Sequence, residues 1–230
     1  MYVSKHHQLH DRDAIHALVE SHPLGAWVCH VRDGLIANHI PFFLDRTRGA
    51  HGTLIGHVAR ANTVWRQLLP DTPSVVMFQG TQSYITPNWY PGKAEHGKVV
   101  PTWNYVVAHA HGTARVMEDP DWMLGMLNQL TSSQEAHQVS PWRVGDAPAG
   151  YIEKMMRGIV GIEISIDRLE GKLKASQDED MQDRQGTVRG LLSSTGEQAQ
   201  AMAAMVQSVM AGDAVSSTCG PATLTTTLRA

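Results

Sequence analysis

Apolar positions dominate residues 24–31, 35–44 and 53–58, each broken off by polar or turn-forming residues. Short apolar runs bounded by turn signals are strands, so the first sixty residues are predicted as a three-strand meander. A hairpin turn is expected at Arg32-Asp33-Gly34 with Asp-Gly at its centre, and Pro41 should mark an edge or a bulge. Ahead of the meander, Asp11 can cap a short helix whose apolar face is Ile15, Leu18 and Val19, ended by His22-Pro23. Behind it, Asn62 can cap a helical run with Val64, Trp65, Leu68 and Leu69 on one face.

Residues 74–79 read as a short, continuous apolar strand. Residues 103–116 alternate cleanly: Tyr105, Val107, His109, His111, Thr113 and Arg115 point one way, and Val106, Ala108, Ala110, Gly112 and Ala114 the other. Asp119-Pro120 opens a helix in which Trp122, Met123, Met126, Leu127 and Leu130 recur at helical spacing. A second helix is expected over 147–157, with Tyr151, Ile152, Met155 and Met156 as its stripe, then a strand over 160–166 and a further strand over 172–177. Residues 198–210 form a methionine-rich helical pattern, and 211–230 read as a flexible low-complexity tail.

Six or seven strands in meander order, without regular strand–helix alternation, disfavour a doubly wound parallel sheet. They predict a mainly β protein with peripheral helices, built on a small antiparallel barrel. One domain is expected over 1–190, followed by a C-terminal helix over 191–210 and a tail over 211–230.

Composition changes this picture little. The 230 residues are 42% hydrophobic and 18% charged, with a net charge of -3, which provides no general attraction to nucleic acid or an anionic membrane. No apolar run approaches the ~20 residues of a membrane helix, and residues 1–10 lack the apolar core of a signal peptide, so a cytoplasmic location is expected. Cys29 and Cys219 are too few for a disulfide framework or a cysteine-based zinc site.

Chemistry concentrates in a few stretches. Residues 84–112 hold two of the six tryptophans, three of the five tyrosines and three prolines, a wall suited to a planar polar ligand or to plugging a barrel end. His109 and His111 share a strand face, but no His-Glu-x-x-His helix and no matching carboxylate stands nearby in sequence, so no metal site is expected. Neither a nucleophile elbow, nor a P-loop, nor a dinucleotide fingerprint occurs. Residues 56–62 leave a strand and enter a helix. There Arg60 can offer a forked donor to phosphate, assisted by His57 and Asn62, or can equally be a surface arginine beside a cap. Asn38-His39 before a strand proline, and the cation, hydroxyl and amide of residues 172–177, are similarly double-edged.

In order, the chain carries His-Pro-Leu-Gly (22–25), Asn-His-Ile-Pro-Phe (38–42), Gly-His-Val-Ala-Arg-Ala-Asn (56–62), Phe-Gln-Gly (78–80) and Tyr-Ile-Thr-Pro-Asn-Trp-Tyr-Pro (84–91). Lys-Val-Val-Pro-Thr-Trp-Asn-Tyr (98–105), His-Ala-His-Gly (109–112), Val-Gly-Ile-Glu-Ile (160–164) and Gly-Lys-x-Lys-x-Ser-Gln (171–177) follow. Over about residues 1–190 this set resembles the PaiB-type FMN-binding negative transcriptional regulators. The resemblance implies a split β-barrel like that of pyridoxamine-phosphate oxidase, and a homodimer binding FMN in two clefts at the subunit interface. By position it makes Arg60, His57 and Asn62 candidates for the phosphate and ribityl site, and Asn38 and His39 candidates for the flavin ring edge. Thr102, Trp103 and Asn104 should lie near the same cleft, with Lys174, Ser176 and Gln177 closing it from the other subunit. Asp178 departs from the family's usual Asn, and Thr86 and Gly92 stand where Ser is more usual.

The family name implies repression, with DNA or a regulatory protein as partner, although no basic recognition helix is visible. Two rival functions stand beside it. One is a flavin-dependent oxidoreductase in which Trp89, Trp103 and Tyr105 stack a small substrate over the flavin. The other is a haem-binding or haem-degrading barrel with His109 or His111 as axial ligand.

Overall fold

A computed structural model describes residues 1–212. Along the chain lie β1 (Gln8–Leu9), α1 (Arg12–Ser21), β2 (Leu24–Val31), β3 (Gly34–Pro41), β4 (Phe43–Asp45), β5 (Thr53–Ala59), α2 (Val64–Gln67) and β6 (Pro73–Ile85). Then come α3 (Gly92–Glu95), β7 (Thr102–Met117), α4 (Pro120–Glu135), α5 (Ala149–Met156), β8 (Ile159–Lys174), α6 (Met181–Ser193) and α7 (Glu197–Met210). Contacts divide these into two compact units. The first contains Met1, His22–Gln79 and Val107–Gly171; the second contains Tyr2–Ser21, Gly80–Val106 and the described residues from Lys172 onward.

The strands follow the order β3-β2-β6-β7-β8-β5-β4, with β2 to β5 wholly in the first unit. β3 and β4 stand at opposite ends of that order, yet only Phe42 separates them in the chain. One residue cannot cross an open seven-strand sheet whose strands lie ~4.8 Å apart, so the sheet must curl until its ends approach. Phe42 is buried at this junction, its amide donates to the Pro23 carbonyl at 2.9 Å, and its ring meets Phe78 edge-on at 6.2 Å. Trp27, Leu54, Val76, Phe78, Ile162 and Ile164 are essentially inaccessible.

Helix α4 packs its stripe, Met123, Met126 and Leu130, on Ile55 with Phe43, Leu127 and Ile159 around them. Its start is set as expected: the Asp119 carboxylate accepts from the Trp122 amide at 2.8 Å, with Pro120 in the first turn. Gly112 has a steric reason to be glycine, since a Cβ there would come within 2.0 Å of the Ser165 carbonyl oxygen. The small-residue face of β7 is therefore a requirement of close strand approach.

The second unit buries Leu18, Val19, Ile85, Val106, Leu191, Met202 and Val206. Helix α6 begins at Asp180, whose carboxylate accepts from the Asp183 amide at 3.0 Å. Buried Asp183 in turn accepts from the Gly92 amide at 3.0 Å. Trp89 lies flat against α6, where a Cβ on Gly190 would sit 2.1 Å from its ring.

The strand predictions hold well for 24–31, 53–58 and 103–116. Four expectations need correction. The β2–β3 turn is centred on Arg32-Asp33, because Gly34 already pairs with Val31 and carries the positive φ of +120°. Residues 74–79 are only half of a thirteen-residue strand, and 160–166 and 172–174 belong to one continuous β8. The run behind Asn62 gives a four-residue helix, with Asn62 Oδ1 accepting from the Val64 amide at 3.1 Å. Helix α6 was not foreseen. The predicted tail and Cys219 fall outside the described residues, except for Ala211 and Gly212.

Candidate functional site

Barrel closure brings β3 toward β5, and a cavity of about 250 Å³ opens between them, lined by Asn38, His39, Ile40, His57, Val58, Ala59, Asn62 and Ile159. Four of these are residues singled out by sequence. Asn62 Nδ2 donates to Asn38 Oδ1 at 2.7 Å, which orients the Asn38 amide. Asn38 Nδ2 and His57 Nδ1 are then buried with no hydrogen-bond partner. A buried polar atom without a partner costs ~1–3 kcal/mol, so the two make this cavity the candidate ligand site. Burial lowers the His57 pKa below its ordinary 6.5, so the imidazole is neutral near pH 7.

Arg60 stands elsewhere. Its Nε donates to the Arg157 carbonyl at 2.9 Å, Nη1 pairs with Glu118 at 2.7 Å, and Nη2 donates to the Ile159 carbonyl at 3.2 Å. Its own amide donates to the Gly158 carbonyl at 2.8 Å. The guanidinium thus ties the loop before β8 to the end of β5, and it does not line the cavity.

A different group forms in the second unit. Lys174 Nζ donates to Thr102 Oγ1 and to the Trp103 carbonyl, the latter at 3.2 Å. Asn104 Nδ2 donates to Ser176 Oγ at 2.8 Å within the core, while Asn104 Oδ1 is buried without a partner. Ser176 takes the left-handed conformation at φ 60°, and Gln177 braces this turn by accepting from the Ala175 amide and donating to the Leu173 carbonyl. Trp103 is half exposed and meets Tyr84 edge-on at 6.0 Å. Asp178, the departure from the family pattern, directs its carboxylate toward His7 Nε2 at 3.6 Å.

Some residues that matter here left no trace in the sequence. Glu118 holds Arg60, and Glu170 reaches His111, because strand register rather than local spacing makes them neighbours. Cys29 offers no nucleophile: it is buried and its thiol pKa is pushed up to about 11 by desolvation.

The curled antiparallel sheet with peripheral helices is a split β-barrel. Two solved structures share the fold. The FAD and haem binding protein of Mycobacterium smegmatis superposes with a TM-score of 0.54 at 18% identity, over 73% of each chain. The flavocytochrome Anf3 of Azotobacter vinelandii gives 0.56 at 14% identity, over 79% of this chain and 77% of its own. Residues 1–168 match the family described as "Putative FMN-binding domain". The chain belongs to that family, and FMN is the cofactor the family assigns to it. Among relatives, an uncharacterised protein of Emericella nidulans is 32% identical over 83% of this chain and 90% of its own. The Bacillus subtilis protein named protease synthase and sporulation protein PAI 2 is 27% identical over 90% of this chain and 97% of its own. Among the described residues no helix is long and apolar enough to cross a membrane.

Proposed function

We propose that this chain is a PaiB-like regulator that acts as a homodimer and receives one end of FMN in the β3–β5 cavity. The observation that carries the reading is the pair of partnerless buried atoms, Asn38 Nδ2 and His57 Nδ1, at one cavity. An amide donor beside a neutral imidazole suits the carbonyl and ring-nitrogen edge of a flavin, which presents acceptors and a donor in one plane. A phosphate dianion would instead call for cations or several N–H groups. The volume supports a dimer: about 250 Å³ is less than the ~300–1,000 Å³ of a typical small-molecule pocket. The remainder of FMN therefore needs a second wall, which a second copy would supply. Lys174, with Thr102 and Ser176 beside it, is the cationic group we assign to that wall.

Bound FMN supplies electron-transfer chemistry, or by its presence alone a signal. Asn38 and Asn62 orient the ring edge, His57 holds a proton at one nitrogen, and Ile40, Val58 and Ile159 exclude water from one side. The regulatory reading draws on the resemblance of the ordered motifs to the PaiB-type regulators, among whose relatives the Bacillus protein is named for protease synthesis and sporulation. A net charge of -3 favours action through a protein partner over direct DNA binding.

The exposed Trp103–Tyr84 pair favours a second reading, a flavin-dependent oxidoreductase that stacks a small substrate. Purified protein should be yellow and release FMN on denaturation; colourless protein that takes up no added FMN overturns the cofactor site. Anaerobic mixing with a reduced nicotinamide nucleotide separates the two functions. Rapid bleaching followed by turnover with an acceptor supports the oxidoreductase, and an unreduced flavin supports the regulator.

A further inference from the structure

A second polar cluster lies in the first unit, where β7 runs beside β8. His109 and His111 are two residues apart and so share a face of β7, and β8 brings Glu170 against them. One donor atom from each of the three lies within 4.8 Å of the others, and all three residues are part-buried. Glu170 Oε2 is 2.9 Å from His111 Nε2, and the two imidazole rings are 6.2 Å apart and tilted by 57°. We propose that His109, His111 and Glu170 form a binding site for a divalent transition metal of the zinc class, with three protein ligands and one open position.

Donor chemistry supports this. Two imidazoles and one carboxylate form a known zinc ligand set of the open kind, in which the fourth place holds water or another ligand. Bonds of ~2.0–2.2 Å at tetrahedral angles separate donor atoms by roughly 3.3 Å, a spacing side-chain rotation reaches from the present one.

The carboxylate is also braced in the manner of an oriented ligand. Arg168 Nη1 lies 2.7 Å and the Met1 nitrogen 3.2 Å from Oε2, the same oxygen that faces His111. Oε1 is outside these contacts. Two cationic groups on one carboxylate weaken its attraction for a third, so the affinity expected is that of an exchangeable metal rather than of a structural zinc.

The test uses the full chain without a histidine tag. Zinc chloride titrated into it by calorimetry should bind once per chain, and Co²⁺ should give visible absorption of nitrogen/oxygen tetrahedral coordination that zinc abolishes. His109→Ala, His111→Ala and Glu170→Gln should each weaken zinc by more than ~10-fold, since losing even an outer partner of a ligand typically costs ~10–100-fold. FMN content and melting temperature serve as the folding control, and His109→Gln or His111→Asn replaces any variant that fails it. Absence of stoichiometric zinc binding and of cobalt absorption in the wild type overturns the proposal. Zinc affinity unchanged in the three variants overturns it equally, by placing the metal on other histidines.

Discussion

The β3–β5 cavity and the Asn104–Lys174 group draw on similar side chains, amides with a neighbouring base or cation, yet their states differ. In the cavity one amide, Asn62, orients a second, Asn38, and two buried polar atoms, Asn38 Nδ2 and His57 Nδ1, are left without a partner. In the second unit Lys174, Thr102, Asn104, Ser176 and Gln177 bond mainly to one another and to backbone, Asn104 Oδ1 being the atom of this group left unpaired, and Ser176 is held at φ 60°. The second group is mostly closed on itself and braces a turn, whereas the first combines two unpaired polar atoms with a cavity, which makes it the better candidate for a ligand.

Asn104→Ala should show the largest effect on stability. Removing its amide leaves the buried Ser176 hydroxyl without a partner, at ~1–3 kcal/mol, which lowers the melting temperature by several degrees. A variant that melts like wild type would break the contrast. Asn38→Asp should do the reverse. It keeps the oxygen that Asn62 requires and replaces the amide donor, so FMN affinity by fluorescence titration should fall ~10-fold, about 1.4 kcal/mol, with melting of the FMN-free protein little changed. Unaltered affinity would remove Asn38 from the ring edge.

Acidification tests both regions. Burial lowers the pKa of His57 in the first unit and of His7 in the second, where Asp178 partly opposes it. Each histidine binds its proton in the unfolded chain near pH 6.5 before it does so in the folded one. Stability should therefore be full above that value and decline as pH falls below it. His57→Asn should flatten part of that decline in thermal melts taken between pH 8 and pH 5.5, and an identical profile would contradict the buried, neutral imidazole. The smallest effect is expected of Glu118→Gln, which breaks an exposed ion pair worth ~0–1 kcal/mol. FMN affinity that rises in this variant would show that a released Arg60 reaches the phosphate after all; unchanged affinity leaves Arg60 as a loop clamp.

Much of the fold was readable because apolar runs bounded by turns, and the period-two alternation of 103–116, report where strands lie. Residues 24–31 and 103–116 were placed almost to the residue, and Asp119-Pro120 declared its helix through local capping chemistry. Helix α6 was hidden because Gly186 and Gly190 interrupt its pattern. Those glycines answer to Trp89, nearly a hundred residues earlier, and not to helix propensity. Continuous β8 was read as two strands because its middle, 167–171, is polar where the strand faces solvent and not core.

The site divides the same way. Residue types alone marked Asn38, His39, His57 and Asn62 as polar groups at strand and helix ends, and the ordered motifs named the family and its cofactor. Only tertiary structure decided that these four line one cavity, that Arg60 is held by Glu118 instead, and that Glu170 completes the pair of His109 and His111. The reason is physical. Periodicity and capping are local and are written within a few residues, whereas barrel closure and strand register are set by packing between segments far apart in the chain.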